Sequence, residues 1–222
     1  MLAAAYIPWG FFVVGYRIAY PYDLPAIFFC ASGLLAIVAN RYWALAALIA
    51  IGTLNKETMA WLIPAYCFYQ PRDARFARET LWRTAALAAI FGVAYETPRL
   101  WASMWEFGRP IWLAAQTSTE GPDGCAVSFA KLNALEFLRI ERGTALQNVY
   151  WPLSLHLPAF LRFRHLPAEW RRLYWAAPFY LIPLFLWGNL VELRLFNEMI
   201  PLGAIGAAWI LSRSYAGQSA AR

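Results

Sequence analysis

A chain of 222 residues is long enough for one or two water-soluble domains, but 61% hydrophobic and 18% aromatic residues against 14% charged ones exclude an ordinary soluble composition. The net charge of +6 does not point to nucleic acid as a partner, because the arginines are scattered between apolar runs and form no single basic stripe. The cysteines Cys30, Cys67 and Cys125 stand far apart and offer neither metal-ligand spacing nor a disulfide framework.

Taken in chain order, eight apolar segments predict an all-α, polytopic transmembrane helix bundle, a single domain over residues 1–222 with membrane lipid as its surroundings. They cover residues 2–20, 24–39, 42–54, 57–70, 81–97, 144–161, 173–189 and 196–212. The opening "MLAAAYIPWG" has no basic stretch ahead of its apolar residues, which argues against a cleaved secretory signal. Several segments fall short of the roughly 20 residues that cross a hydrocarbon core. Short helices are tolerated where they pack inside a bundle or line a water-filled cleft.

Orientation follows from the excess of Lys and Arg on cytoplasmic loops. Two clusters dominate, Arg72, Arg75, Arg78 and Arg83, then Arg162, Arg164, Arg171 and Arg172. Eight spans with both termini inside put both clusters on the inner side together with Arg41, Arg213 and Arg222, giving eleven basic residues inside against eight outside. Tyr42, Trp43, Trp82, Trp170 and Trp175 then mark the inner interface, with Tyr20 and Tyr22 at the outer one. Localisation in a bacterial cytoplasmic (inner) membrane fits this arrangement.

The stretch "TLNKET", residues 53–58, interrupts an apolar run over 42–69. One continuous span there would break the inside bias of the arginine clusters, so the interruption predicts a tight helical hairpin with Lys56 and Glu57 at its outer tip. At the bilayer centre each charge would cost roughly 2.5 to 3.5 kcal/mol. Between the fifth and sixth spans, an outer loop over about 98–143 contains "AVSFAKLNALEFLRIER". Its Phe129, Leu132, Leu135 and Leu138 recur at helical spacing opposite Lys131, Glu136, Arg139 and Arg142, as in an amphipathic surface helix or an ordinary packed loop helix.

Three polar clusters reach the outer level. Lys56, beside the start of the following helix, makes a phosphate site, with Glu57 to balance or orient it and Asn55 and Thr58 to cap the helix or donate to an anionic group. The plainer alternative is that Thr53 and Asn55 merely close the turn while Lys56 and Glu57 are solvated or paired. In "VELRLFNE", Arg194 and Glu198 stand four apart with Glu192 and Asn197 nearby. They form either a surface ion pair worth about 0 to 1 kcal/mol or, with Arg194 as a bidentate clamp, a phosphate or pyrophosphate site. Asp23, at the outer start of the second span, either stabilises a helix N-terminus or binds a sugar hydroxyl, binds a cation or serves as a base. His156 reads as a packing residue, and no metal site assembles from it and His165.

"YPYDLPAIFF", "TLNKETMAWLIP" and "VELRLFNEMIPL" together resemble a group of uncharacterised bacterial multispanning membrane proteins, which in turn look like the GT-C superfamily of membrane glycosyltransferases. The resemblance covers roughly residues 20–70 and 190–202. It implies a GT-C-like bundle that transfers a sugar from a polyprenyl-phosphate donor at the outer face, with Asp23 or Glu57 as the catalytic carboxylate. Lys56, Arg194, Asn55, Glu192, Asn197 and Glu198 would then hold the phosphate and substrate. No cofactor is implied, although a divalent cation is compatible with the carboxylates. Such enzymes usually carry their catalytic acid in a large outer loop ahead of the segment matching Asp23. The expectation is therefore either that an amino-terminal part lies outside this sequence or that the protein is not a complete enzyme. The competing class is a non-catalytic membrane protein, such as a carrier of lipid-linked sugar, an assembly subunit or a scaffold.

Overall fold

The computed structural model describes residues 23–107, 154–187 and 198–219. The expected first span, most of the segment 144–161, the proposed amphipathic helix, and Glu192, Arg194 and Asn197 lie outside the described residues. Every regular element among the described residues is helical, so the chain is all-α.

Helix α1, Asp23–Val38, and helix α2, Tyr42–Asn55, are joined by a tight turn. Asn40 takes the left-handed conformation, φ 53°, which a short polar side chain tolerates. Around it Arg41 N–H donates to Ala36 O at 2.8 Å and Asn40 N–H to Ile37 O at 3.1 Å. This Schellman pattern closes α1 and reverses the chain.

Helix α2 ends where Lys56 turns to extended backbone, φ −159° and ψ 132°. A 3₁₀ helix, Glu57–Trp61, and helix α3, Leu62–Tyr69, carry the chain back. The return is antiparallel to α2: Tyr42 and Tyr66 lie 5.9 Å apart between ring centroids, and a Cβ on Gly52 would come within 2.9 Å of Met59. A hairpin with its turn at Lys56 is thus present, although the expected segment 57–70 is divided between two kinds of helix.

A short helix α4, Arg72–Arg75, leads into α5, Arg78–Phe107, which runs 30 residues. The sequence suggested a span ending at residue 97 and a loop from Pro98; instead the helix continues ten residues through the proline. Side-chain pairs one turn apart bridge and follow it, with the Arg99 guanidinium 3.3 Å above the Tyr95 ring and Trp101 against Trp105 at 6.3 Å. Thr97 Oγ1 donates to Val93 O at 2.7 Å, an i to i−4 bond in the turn just before the proline.

The second described stretch holds α6, Leu157–Leu161, a 3₁₀ turn Phe163–His165, α7, Ala168–Tyr174, and α8, Pro178–Trp187. The segment expected as one span over 173–189 is therefore divided by a turn at residues 175–177. Helix α9, Ile200–Ser219, closes the described chain. Its Gly203 and Gly206 admit the His156 ring and the Tyr174 phenol, whose Oη donates to Leu202 O at 3.3 Å.

The core draws Cys30, Leu34, Leu45, Ile49, Met59, Trp61, Leu62, Leu173 and Leu202 into one cluster. No helix among the described residues is long and apolar enough to cross a membrane. Helix α2 is nonetheless apolar on both sides. It buries Leu45, Ala46, Ile49 and Gly52 while exposing Trp43, Ala47, Ile51 and Leu54, an i, i+4, i+8, i+11 stripe. Water favours a polar outer face on such a helix.

Candidate functional site

The end of α2 is where the polar side chains gather. Thr53 Oγ1 donates to Ile49 O at 2.6 Å, and Lys56 N–H donates to Gly52 O at 2.9 Å. The backbone then extends, and the Lys56 side chain turns inward, only 9% exposed. The next residue, Glu57, is exposed. Adjacent positions on either side of such a break point apart, and Lys56 meets a distant carboxylate.

That carboxylate is Glu198, which is 0% exposed and stands two residues ahead of α9. Lys56 Nζ lies 2.5 Å from its Oε1. Thr58 Oγ1 donates to the same oxygen at 3.1 Å, and Tyr180 Oη donates to Oε2 at 2.7 Å. Both oxygens of the buried carboxylate thus have donors, and one of these is a charged ammonium. Hydrogen bonds to a charged group are the stronger class. The hairpin turn, helix α8 and the start of α9 meet at this one group.

Trp61 forms the wall beneath. Its ring packs edge-on against Tyr180 at 6.1 Å, and its Nε1 donates to Cys30 Sγ at 3.4 Å. Cys30 therefore brings α1 to the same end. Along α1 the contacts pass from Gly33 beside Leu62 to Phe29 beside Gly52, so the helix runs toward this end in its N-terminal direction. Asp23 opens α1 about 10 Å beyond Cys30 along the axis, at 1.5 Å per residue.

Of the residues singled out in the sequence, Lys56 and Glu198 are in direct contact, and Asn55 and Glu57 flank Lys56. Asp23 begins a helix at the same end of the bundle. Glu192, Arg194 and Asn197 lie outside the described residues. The proposed i, i+4 partner of Glu198, Arg194, is one of these, and among the described residues the cation on Glu198 is Lys56. Pairing of Lys56 with the adjacent Glu57 is replaced by the longer-range pair, because only Glu198 is presented inside the core.

Tyr180, Trp61 and Cys30 were not singled out. In "PFYLIPLF", "TMAWLIP" and "AIFFCASG" they read as span residues, and nothing local separates a phenol that donates to a buried carboxylate from one that marks an interface. Among the described residues no three His, Cys, Asp or Glu side chains are grouped to hold a metal ion.

Chemically, the charges of Lys56 and Glu198 offset one another. An anionic ligand reaching Lys56 must compete with Glu198 for the ammonium, while Tyr180 and Thr58 supply hydroxyls to whichever acceptor occupies the position. No family model, curated relative or solved structure matches this sequence.

Proposed function

We propose that the protein is a multi-pass membrane helix bundle of the GT-C-like kind, which binds a polyprenyl-phosphate-linked sugar at the bundle end where Lys56 meets Glu198. Membrane placement is supported by the composition and by the apolar stripe of α2 that faces away from the core. The observation that carries the ligand site is the convergence of Lys56, Thr58, Tyr180 and Glu198 at the hairpin turn. A cation held in a water-poor setting beside two hydroxyls is suited to a phosphate. In the transfer reading, Lys56 and Arg194 hold the donor phosphate while Asp23 or Glu57 takes the proton of the acceptor hydroxyl.

The burial of Glu198 favours a second reading. With its ammonium already engaged by a fully buried carboxylate, Lys56 also suits a non-catalytic role, in which the pair locks the hairpin of a carrier or assembly subunit.

Binding of polyprenyl phosphate to the full chain in lipid nanodiscs separates the two. Replacing both charges together, Lys56→Gln with Glu198→Gln, leaves no unpaired buried ion behind. Loss of polyprenyl-phosphate binding with the helix content retained supports the donor site. Binding equal to that of the wild type assigns the pair to the lock and removes it from ligand recognition. Sugar transfer assayed on Asp23→Asn and Glu57→Gln then tests catalysis separately.

A further inference from the structure

At the other end of the hairpin the two arginine clusters come together on one helix terminus. Arg75 Nη2 donates to Phe68 O at 2.9 Å and Arg172 Nε to Tyr69 O at 2.9 Å, so residues from both clusters cap the carbonyl end of α3. Cations complement the negative end of a helix dipole. Arg83 joins the same end, its guanidinium 5.4 Å from the Tyr42 ring centroid, while Tyr42 Oη donates to Arg83 O at 3.2 Å.

Capping by Arg75 and Arg172 uses only part of this charge. Arg72, Arg78 and Arg164 are exposed. The segments 72–83 and 162–172 hold eight arginines against the three acids Asp73, Glu79 and Glu169, and Glu79 is already engaged by Arg83 at 2.5 Å. Trp43, Trp82 and Trp175 are exposed around the same end, at 79%, 66% and 60%. Exposed indoles beside exposed guanidiniums are the composition of a membrane headgroup layer.

We propose that this arginine-and-tryptophan rim is a binding surface for anionic phospholipid headgroups, enriching them around the bundle. Guanidiniums pair with phosphate oxygens through parallel N–H donors, and the indoles fill the level between headgroup and acyl chain. The inference rests on the membrane placement proposed above and is independent of the Lys56 site.

The test reconstitutes the full chain into nanodiscs of phosphatidylcholine mixed with phosphatidylglycerol and measures by native mass spectrometry which lipid stays bound. Wild-type protein is expected to retain phosphatidylglycerol preferentially, with the preference weakening as salt rises. Substituting Arg72, Arg78 and Arg164 by Gln, which spares the capping Arg75 and Arg172, lowers the preference by roughly fivefold for each arginine at the headgroup level. The corresponding three Arg→Lys changes keep most of it. Inorganic phosphate added as competitor leaves the lipid bound; displacement would reassign the surface to soluble anions and overturn the proposal. An unbiased lipid ratio in the wild type, or an unchanged bias in the Gln variant, also overturns it. A chain that fails to enter lipid at all overturns the membrane placement instead.

Discussion

Glu198 is held by Lys56 from the far side of the sequence at 2.5 Å, with neither side chain exposed by more than 9%. Removing one partner of such a pair costs more than removing both, because the remaining ion is left buried and uncompensated. Lys56→Met and Glu198→Leu are each expected to destabilise the fold by about 3 to 5 kcal/mol. The double variant should recover a large share of the loss. Denaturation midpoints of the four proteins under one set of solution conditions decide this. Losses that simply add would mean the two side chains are not coupled.

Tyr180 makes a separable contribution. Its phenol donates to Glu198 Oε2, while Lys56 and Thr58 serve Oε1. Tyr180→Phe keeps the ring against Trp61 and removes only the donor, so the expected loss is about 1.5 to 3 kcal/mol, the range for a hydrogen bond to a charged group. The same change made in the Glu198→Leu background should cost much less. Equal losses in both backgrounds would place the effect in packing of the ring.

How much of this was legible in the sequence differs from residue to residue. The break at Lys56 was readable because two opposite charges interrupt an apolar run there and one continuous span over 42–69 would upset the inside bias of the arginine clusters. Lys56 and Glu198 were both readable as candidates, but not as partners. Local spacing offers Arg194 to Glu198 and Glu57 to Lys56, whereas tertiary pairing has no periodic signature. Tyr180 was hidden for the same reason, since its hydroxyl acquires a role only when α8 packs beside the hairpin turn. The ends of the apolar segments were the least readable. Proline at position 98 reads as a stop, yet α5 continues ten residues through it, with the Arg99 guanidinium stacked on the Tyr95 ring across the site. Conversely, the turn that divides the apolar run 173–189 has one local sign, Pro178, which stands at the first position of α8 directly after it.

Two glycines of α9 serve close approach. A Cβ on Gly206 would collide with Tyr174 Oη and stand 2.9 Å from Ala159 Cβ, and one on Gly203 would meet the His156 ring at 2.9 Å. Gly206→Ala and Gly203→Ala should each destabilise by about 1 to 3 kcal/mol, the usual cost of overpacking. Gly92 in α5 has nothing within 4 Å of a Cβ. Gly92→Ala is therefore the matched control and should stabilise by about 1 kcal/mol through helix propensity alone. Thermal midpoints measured side by side check the opposite signs.

The apolar outer stripe of α2 yields the most direct test of its surroundings. Ala47 is exposed near the middle of the helix, between Trp43 and Ile51, and opposite the buried Leu45 and Ile49. In water an exposed Ala47→Arg is nearly neutral, because arginine is a good helix former and the side chain meets no neighbour it must displace. In hydrocarbon the same change costs about 2.5 to 3.5 kcal/mol at mid-depth, relieved only as far as the guanidinium can snorkel. Membrane insertion of full-length wild type and Ala47→Arg, measured by protease protection in inverted vesicles, is expected to show a clear deficit for the variant. A second variant, Ala47→Leu, should insert at least as well as the wild type. If Arg and Leu at this position insert and fold alike, α2 does not face lipid, and the apolar stripe must be covered by protein.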